Sequence, residues 1–171
     1  MIKTYVIDTN VLIQAPYALE CFEDNHLVLP LVVLEELDGL KKAEGEKGAN
    51  ARAAVRKLEE YRHKGDLLQG VELPGGGCLR VEKNYVNVEL PPDLPDDKPD
   101  NRILKVCKGL ADDKKADQVI LVTKDIVLRL KAQILGIKAE DFERKGFPLK
   151  TCIKVMRRGI SFFRSFMKMN L

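Results

Sequence analysis

Tryptophan is absent from the 171-residue chain, aromatic residues make up 6% of it, and it holds two histidines and four cysteines. So few aromatics leave little material for stacking bases along a nucleic-acid strand. Cys21, Cys78, Cys107 and Cys152 form no CxxC pair, and His26 and His63 stand at no zinc-site spacing from a second ligand. Neither a disulfide framework nor a zinc site has the residues it needs, and free thiols in a reducing cytoplasm are the expectation. Long apolar runs are missing too. Leu27 to Leu34 falls far short of the roughly 20 residues that cross a bilayer, and no charged, apolar, small-residue leader opens the sequence. No stable membrane insertion and a cytoplasmic location are therefore expected. Nor does GxxxxGK[ST] occur, so ATP hydrolysis by this chain alone has no support.

What is present suits one globular domain. Hydrophobic residues make up 45% and charged residues 32%, enough to bury a core without covalent staples. The formal net charge of +3 hides an asymmetry: residues 1–143 hold all 26 acids and 21 Lys and Arg, whereas 144–171 holds eight bases and no acid. This boundary divides the chain into a domain over 1–143 and a basic extension over 144–171. In the extension Cys152, Met156, Ile160, Phe163 and Met167 fall on one helical face, an amphipathic pattern that can dock back on the domain, pair with another chain, as in a homo-oligomer, or lie on an acidic surface; packing against protein is the expectation.

Residues 4–8 read as a buried strand ending in Asp8, followed by a helix from Asn10 and another opened by Pro16. His26 to Leu29 is a second strand closed by Pro30. Helical spacing then runs from Leu31, breaks at Gly45 and Gly48, and resumes from Asn50 to His63. Val71–Leu73 and Cys78–Glu82, separated by Pro74 and three glycines, predict an antiparallel hairpin. The glycines lack the Lys-Ser/Thr of a phosphate loop and read as a turn. A proline-rich loop leads to Asp100 and Asn101, which are expected to cap a helix over 102–115; Val119–Val122 is a further buried strand, and a helix follows to Leu135. Alternating strands and helices predict an α/β fold, a small parallel sheet flanked by helices in a Rossmann-like three-layer arrangement, with the hairpin as an antiparallel insertion.

In such a sheet the functional crevice lies at the carboxyl ends of the strands. Asp8 stands at one of these ends, Asp125 follows the last strand across Thr123 and Lys124, and Asp100 starts the helix leading to that strand. Glu35 and Glu36 lie on the helix after the second strand, and only one of two adjacent helical residues can face the crevice. Singly each has an ordinary alternative as a cap, a turn residue or a solvated charge. Converging carboxylates raise one another's pKa, and a divalent cation removes the conflict. An all-oxygen donor set suits Mg²⁺ or Mn²⁺, ions that activate water and offset charge on a phosphodiester.

The stretches Val6–Leu12, Val33–Asp38, Asp100–Leu104 and Val119–Asp125, in that order, resemble a PIN domain, most closely the one preceding the ATPase part of PhoH-like proteins. The resemblance covers about Ile2 to Phe142. It implies a metal-dependent endoribonuclease acting on single-stranded RNA, with Asp8, Glu36, Asp100 and Asp125 as metal ligands. It takes Glu36 over Glu35 because the family's acid precedes a leucine, here Leu37, and Asp125 over the nearby Asp112, Asp113 and Asp117. It also implies that Asn10 and Thr123 orient Asp8, and that an ATPase domain or partner chain acts with it. The alternative is a non-catalytic RNA- or protein-binding module beside such an ATPase. A phosphatase with Asp8 as nucleophile fits poorly, because the second aspartate such enzymes need is Asn10 here. For RNA contact the candidate bases are Lys41, Lys42, Lys47, Arg52, Arg56, Lys57 and Arg62, interleaved with glutamates.

Overall fold

A computed structural model describes residues 2–113 and 116–142. The predicted basic extension over 144–171 lies outside the described residues. In chain order the elements are β1 (Lys3–Ile7), α1 (Thr9–Gln14), a 3-10 turn (Pro16–Glu20), β2 (His26–Pro30), α2 (Leu31–Leu40), α3 (Gly45–Lys64), β3 (Val71–Glu72), β4 (Cys78–Glu82), α4 (Pro99–Asp112), β5 (Gln118–Val122), α5 (Ile126–Ile134) and β6 (Lys138–Glu140).

The strands form one sheet in the order β3-β4-β2-β1-β5-β6. Apart from the antiparallel β3–β4 pair, every neighbouring pair runs parallel. In β1, β2 and β5 every residue after the first is buried, as expected where helices cover both faces and no solvent side exists for polar side chains. From β1 the chain builds outward to β2 and β4, then returns through α4 to place β5 on β1's other side. That reversal beside β1 is a topological switch point, where the loops at the strand ends diverge and leave a crevice.

The expected hairpin is present as the antiparallel β3–β4 pair, and its second strand also joins the main sheet, β4 pairing in parallel with β2 from His26↔Cys78 to Pro30↔Glu82. Two expectations are corrected. Gly48 does not interrupt the helices: α3 begins at Gly45, and the break is confined to the turn after Leu40. Asp100 and Asn101 do not cap α4. Pro99 opens the helix, whose cap position is Lys98, and both residues lie within its first turn. Beyond these, β6, too short and polar to be read in the sequence, pairs with β5. No helix among the described residues is long and apolar enough to cross a membrane.

Helix α4, which carries Asp100, is seated by a close approach. A Cβ at Gly109 would overlap the Tyr85 ring. Ordinarily glycine to alanine inside a helix gains about 1 kcal/mol, but overpacking typically costs about 1–3 kcal/mol. Gly109→Ala is therefore expected to lower the melting temperature, and to be neutral or stabilising when Tyr85→Ala is also present. Equal shifts in the two backgrounds, read by thermal denaturation, contradict this packing.

Candidate metal centre

Asp8 follows β1 directly and caps α1. Because Ile7 pairs with Val122 in the β1–β5 ladder, the next residues, Asp8 and Thr123, stand level at the sheet's edge. The Thr123 hydroxyl donates to Asp8 Oδ2 at 2.7 Å, and the Thr9 amide donates to Oδ1 at 2.7 Å. Asp8 is 8% exposed and Thr123 is fully buried. Thr123 Oγ1 also accepts from the Asn10 side-chain amide (3.4 Å) and the Asp125 backbone amide (3.1 Å), while Asn10 Oδ1 accepts from the Lys124 amide (3.2 Å). A buried hydroxyl thus ties the ends of β1 and β5 together, with Asn10 bracing the far side.

Glu36 reaches the same crevice from α2, its Oε1 accepting from the Thr9 hydroxyl at 3.0 Å. Glu35 points to solvent. Asp125 caps α5 by accepting from the Val127 amide. Asp112, Asp113 and Asp117 are exposed and precede β5, at the end opposite Asp125. Asp100 accepts from the Asn101 amide and from Lys131 Nζ, the latter at 3.0 Å. All four acids line one pocket of about 540 Å³, together with Thr9, Asn10 and, as its one cation, Lys47.

The electrostatics follow from crowding. Burial, and secondarily the negative charges of Glu36 and Asp125, push the Asp8 carboxyl up to about 6 against the opposing hydrogen bonds from Thr123 and Thr9. Burial likewise raises Glu36, with Asp100 adding to the shift and the Thr9 hydrogen bond opposing it. Behind them Cys107, completely buried, has its thiol pushed far up by burial and by Asp8, so it stays protonated and inert.

These carboxylates fit a hard divalent cation in kind: only oxygen donors, with mutual repulsion that a cation would relieve. With the side chains as they stand, no three Asp, Glu, His or Cys among the described residues close on a single point, and Asp100 is engaged by Lys131. Two contributors escaped the sequence reading. Thr9 could have been suspected from its place beside Asp8. Lys131 had no local signal, since its partners lie 31 and 30 positions away.

A family model described as PIN domain matches residues 5–143. Protein PhoH2 of Bacillus subtilis (strain 168) is 44% identical over 147 residues, covering 83% of this chain and 33% of its own length. Protein PhoH2 of Mycolicibacterium smegmatis is 40% identical over 144 residues, covering 82% and 32%. The chain thus spans about a third of the length of these relatives. Among solved structures, a domain of a functionally unknown protein from Methanocaldococcus jannaschii superposes with a TM-score of 0.53 at 23% identity, covering 84% of this chain and 93% of that one. The T. brucei RRP44 PIN domain does so with a TM-score of 0.52 at 14% identity, covering 100% and 88%. At those identities the likeness is one of fold.

The raised Asp8 carboxyl has a consequence for stability. Its folded value of about 6 lies above the ordinary aspartate value of 3.8, so the folded state holds that proton more tightly. The resulting stabilisation is full below about pH 4 and is lost as pH rises through 6, a difference of about 3 kcal/mol. In EDTA, Asp8→Asn should therefore melt a few degrees above wild type at pH 7.5, and the gap should close towards pH 4. A gap independent of pH would contradict the strained carboxylate.

Proposed function

The chain belongs to the PIN-domain family, generally one of metal-dependent nucleases, and from that premise we propose that it is a Mg²⁺- or Mn²⁺-dependent endoribonuclease hydrolysing single-stranded RNA. The observation that carries the reading is Asp8, a nearly buried carboxylate with both oxygens oriented by hydrogen bonds, facing a pocket that it shares with Glu36, Asp100 and Asp125. These four acids would hold the cation. When bound, it supplies positive charge that offsets charge developing on the phosphodiester and lowers the pKa of water.

The protein's own groups do the positioning. Thr123 and the Thr9 amide fix Asp8, and the Thr9 hydroxyl fixes Glu36. Asn10 fixes Thr123 in turn, the kind of support a metal site needs. Lys47 puts one positive charge on the pocket wall for the RNA backbone. Four other candidate bases are engaged elsewhere: Lys41 pairs with Asp38, Lys57 with Glu20 and Glu60, and Arg62 with Glu59, while Arg52 donates to the Lys41 carbonyl. A flexible single strand can bend a phosphate into this recess more readily than a duplex. The free thiols of Cys21, Cys78 and Cys107 accord with a cytoplasmic location, and the relatives' greater length with an ATPase part acting alongside.

The test is cleavage of an end-labelled single-stranded RNA with millimolar Mn²⁺ or Mg²⁺, combined with metal titrations followed by melting temperature. Wild type is expected to cut and to be stabilised by metal, by about 1.4 kcal/mol at ten times Kd. Asp8→Asn is expected to lose at least about a hundredfold in cleavage and most of the metal response. Binding of RNA indifferent to both metal and Asp8→Asn favours the non-catalytic module instead.

For Lys47→Met, KM should rise several-fold at nearly unchanged kcat, and the salt dependence of RNA binding should weaken by about one unit of slope. Unchanged binding removes Lys47 from the RNA path.

A further inference from the structure

Among the described residues Lys131 is the one cation paired with any of the four site acids. From α5 it reaches the first turn of α4, where Nζ donates to Asp100 Oδ2 and to Asn101 Oδ1, each at 3.0 Å. Asn101 is fully buried, and its side-chain amide donates to the Pro95 carbonyl at 2.8 Å, which leaves its oxygen fixed to receive the lysine. The Lys131 side chain is 18% exposed and that of Asp100 is 29% exposed. This ammonium is anchored at two points, unlike a surface pair that solvent readily exchanges.

Its place is informative. A counter-charge serving stability alone would do most beside Asp8, the most deeply buried of the four acids. Instead it sits on Asp100, which the Proposed function makes a metal ligand. We propose that Lys131 is a positioning residue that acts through Asp100: it holds that carboxylate at the pocket wall and, as a built-in positive charge, keeps the site's affinity for divalent cations low enough for exchange. The inference rests on the metal-centre reading. Its sign comes from Coulomb's law, since a fixed positive charge near a cation site weakens binding of the cation, and removing it strengthens binding. A purely structural salt bridge predicts the opposite, because loosening Asp100 would weaken the site or leave it unchanged.

The experiment is Mn²⁺ binding by calorimetry on the full chain at pH 7.5, comparing wild type, Lys131→Gln, Lys131→Met, Lys131→Arg and Asp8→Asn. Glutamine keeps a donor towards Asp100 and Asn101 without the charge, so it covers the case in which methionine fails to fold. The expected result is Mn²⁺ affinity raised roughly fivefold to thirtyfold in the neutral variants, together with a lower metal-free melting temperature, and near wild-type affinity in Lys131→Arg. Mn²⁺ affinity unchanged or weakened in folded Lys131→Gln overturns the proposal while leaving the metal centre standing. No Mn²⁺ binding by wild type, or equal binding by wild type and Asp8→Asn, overturns the metal-centre reading and this inference with it.

Discussion

The hydrogen bond from Thr123 to Asp8 joins residues 115 positions apart, and much of the site hangs from it. A carboxylate this deeply buried is costly unless its oxygens are matched. The match is available because β1 and β5 are adjacent and in a register that brings Asp8 level with Thr123. The same hydroxyl receives the amide of Asp125 and the side chain of Asn10, so one oxygen sets the relative positions of the starts of α1 and α5. Loss of that oxygen would leave Asp8 with its burial penalty and without its strongest opposing contact.

Topology supplies what chemistry then uses. The chain winds from β1 towards β2 and β4, then returns through α4 to β5. The loops after β1 and β5 therefore part at one end of the sheet. Asp8 and Asp125 emerge there directly, while Glu36 and Asp100 arrive from flanking helices. On the same helix as Asp100, Cys107 has no exposed surface and feels the charge of Asp8, and burial of this kind lets like charges act on one another.

How much of this could be read in advance depended on distance along the chain. The three central strands announced themselves as short apolar runs, and Asp8 and Asp125 were visible as the acids closing two of them. Helical phase leaves Glu35 and Glu36 as competitors, and only the family resemblance, whose acid precedes a leucine, points to Glu36. Asp100 is legible as an acid at the start of the helix leading to the last strand, but its local role is not: Asp-Asn before a helical pattern resembles a cap, whereas Pro99 starts the helix earlier and carries both residues inside it. Strand β6 was hidden because Lys138–Glu140 has neither the length nor the apolar content to signal without its neighbour β5. Lys131 was illegible for a deeper reason. On its own helix it looks like any basic residue in a last turn, and its meaning comes from Asp100 and Asn101, which only the tertiary fold brings within reach.

A pocket of this charge imposes an order on its ligands. Four carboxylates offset by Lys131 and Lys47 leave a net negative recess, which repels an RNA phosphate while it stays metal-free. A divalent cation held there changes the local balance in favour of the phosphate, so on the proposed reading cation and RNA must strengthen one another's binding by the same factor. The partial neutralisation at Asp100 then serves both sides of that exchange. On the proposed reading it would temper the metal's grip and lessen the repulsion that the strand meets on approach. Acidity relieved at one edge by an anchored lysine suits the proposed hydrolysis of a polyanion.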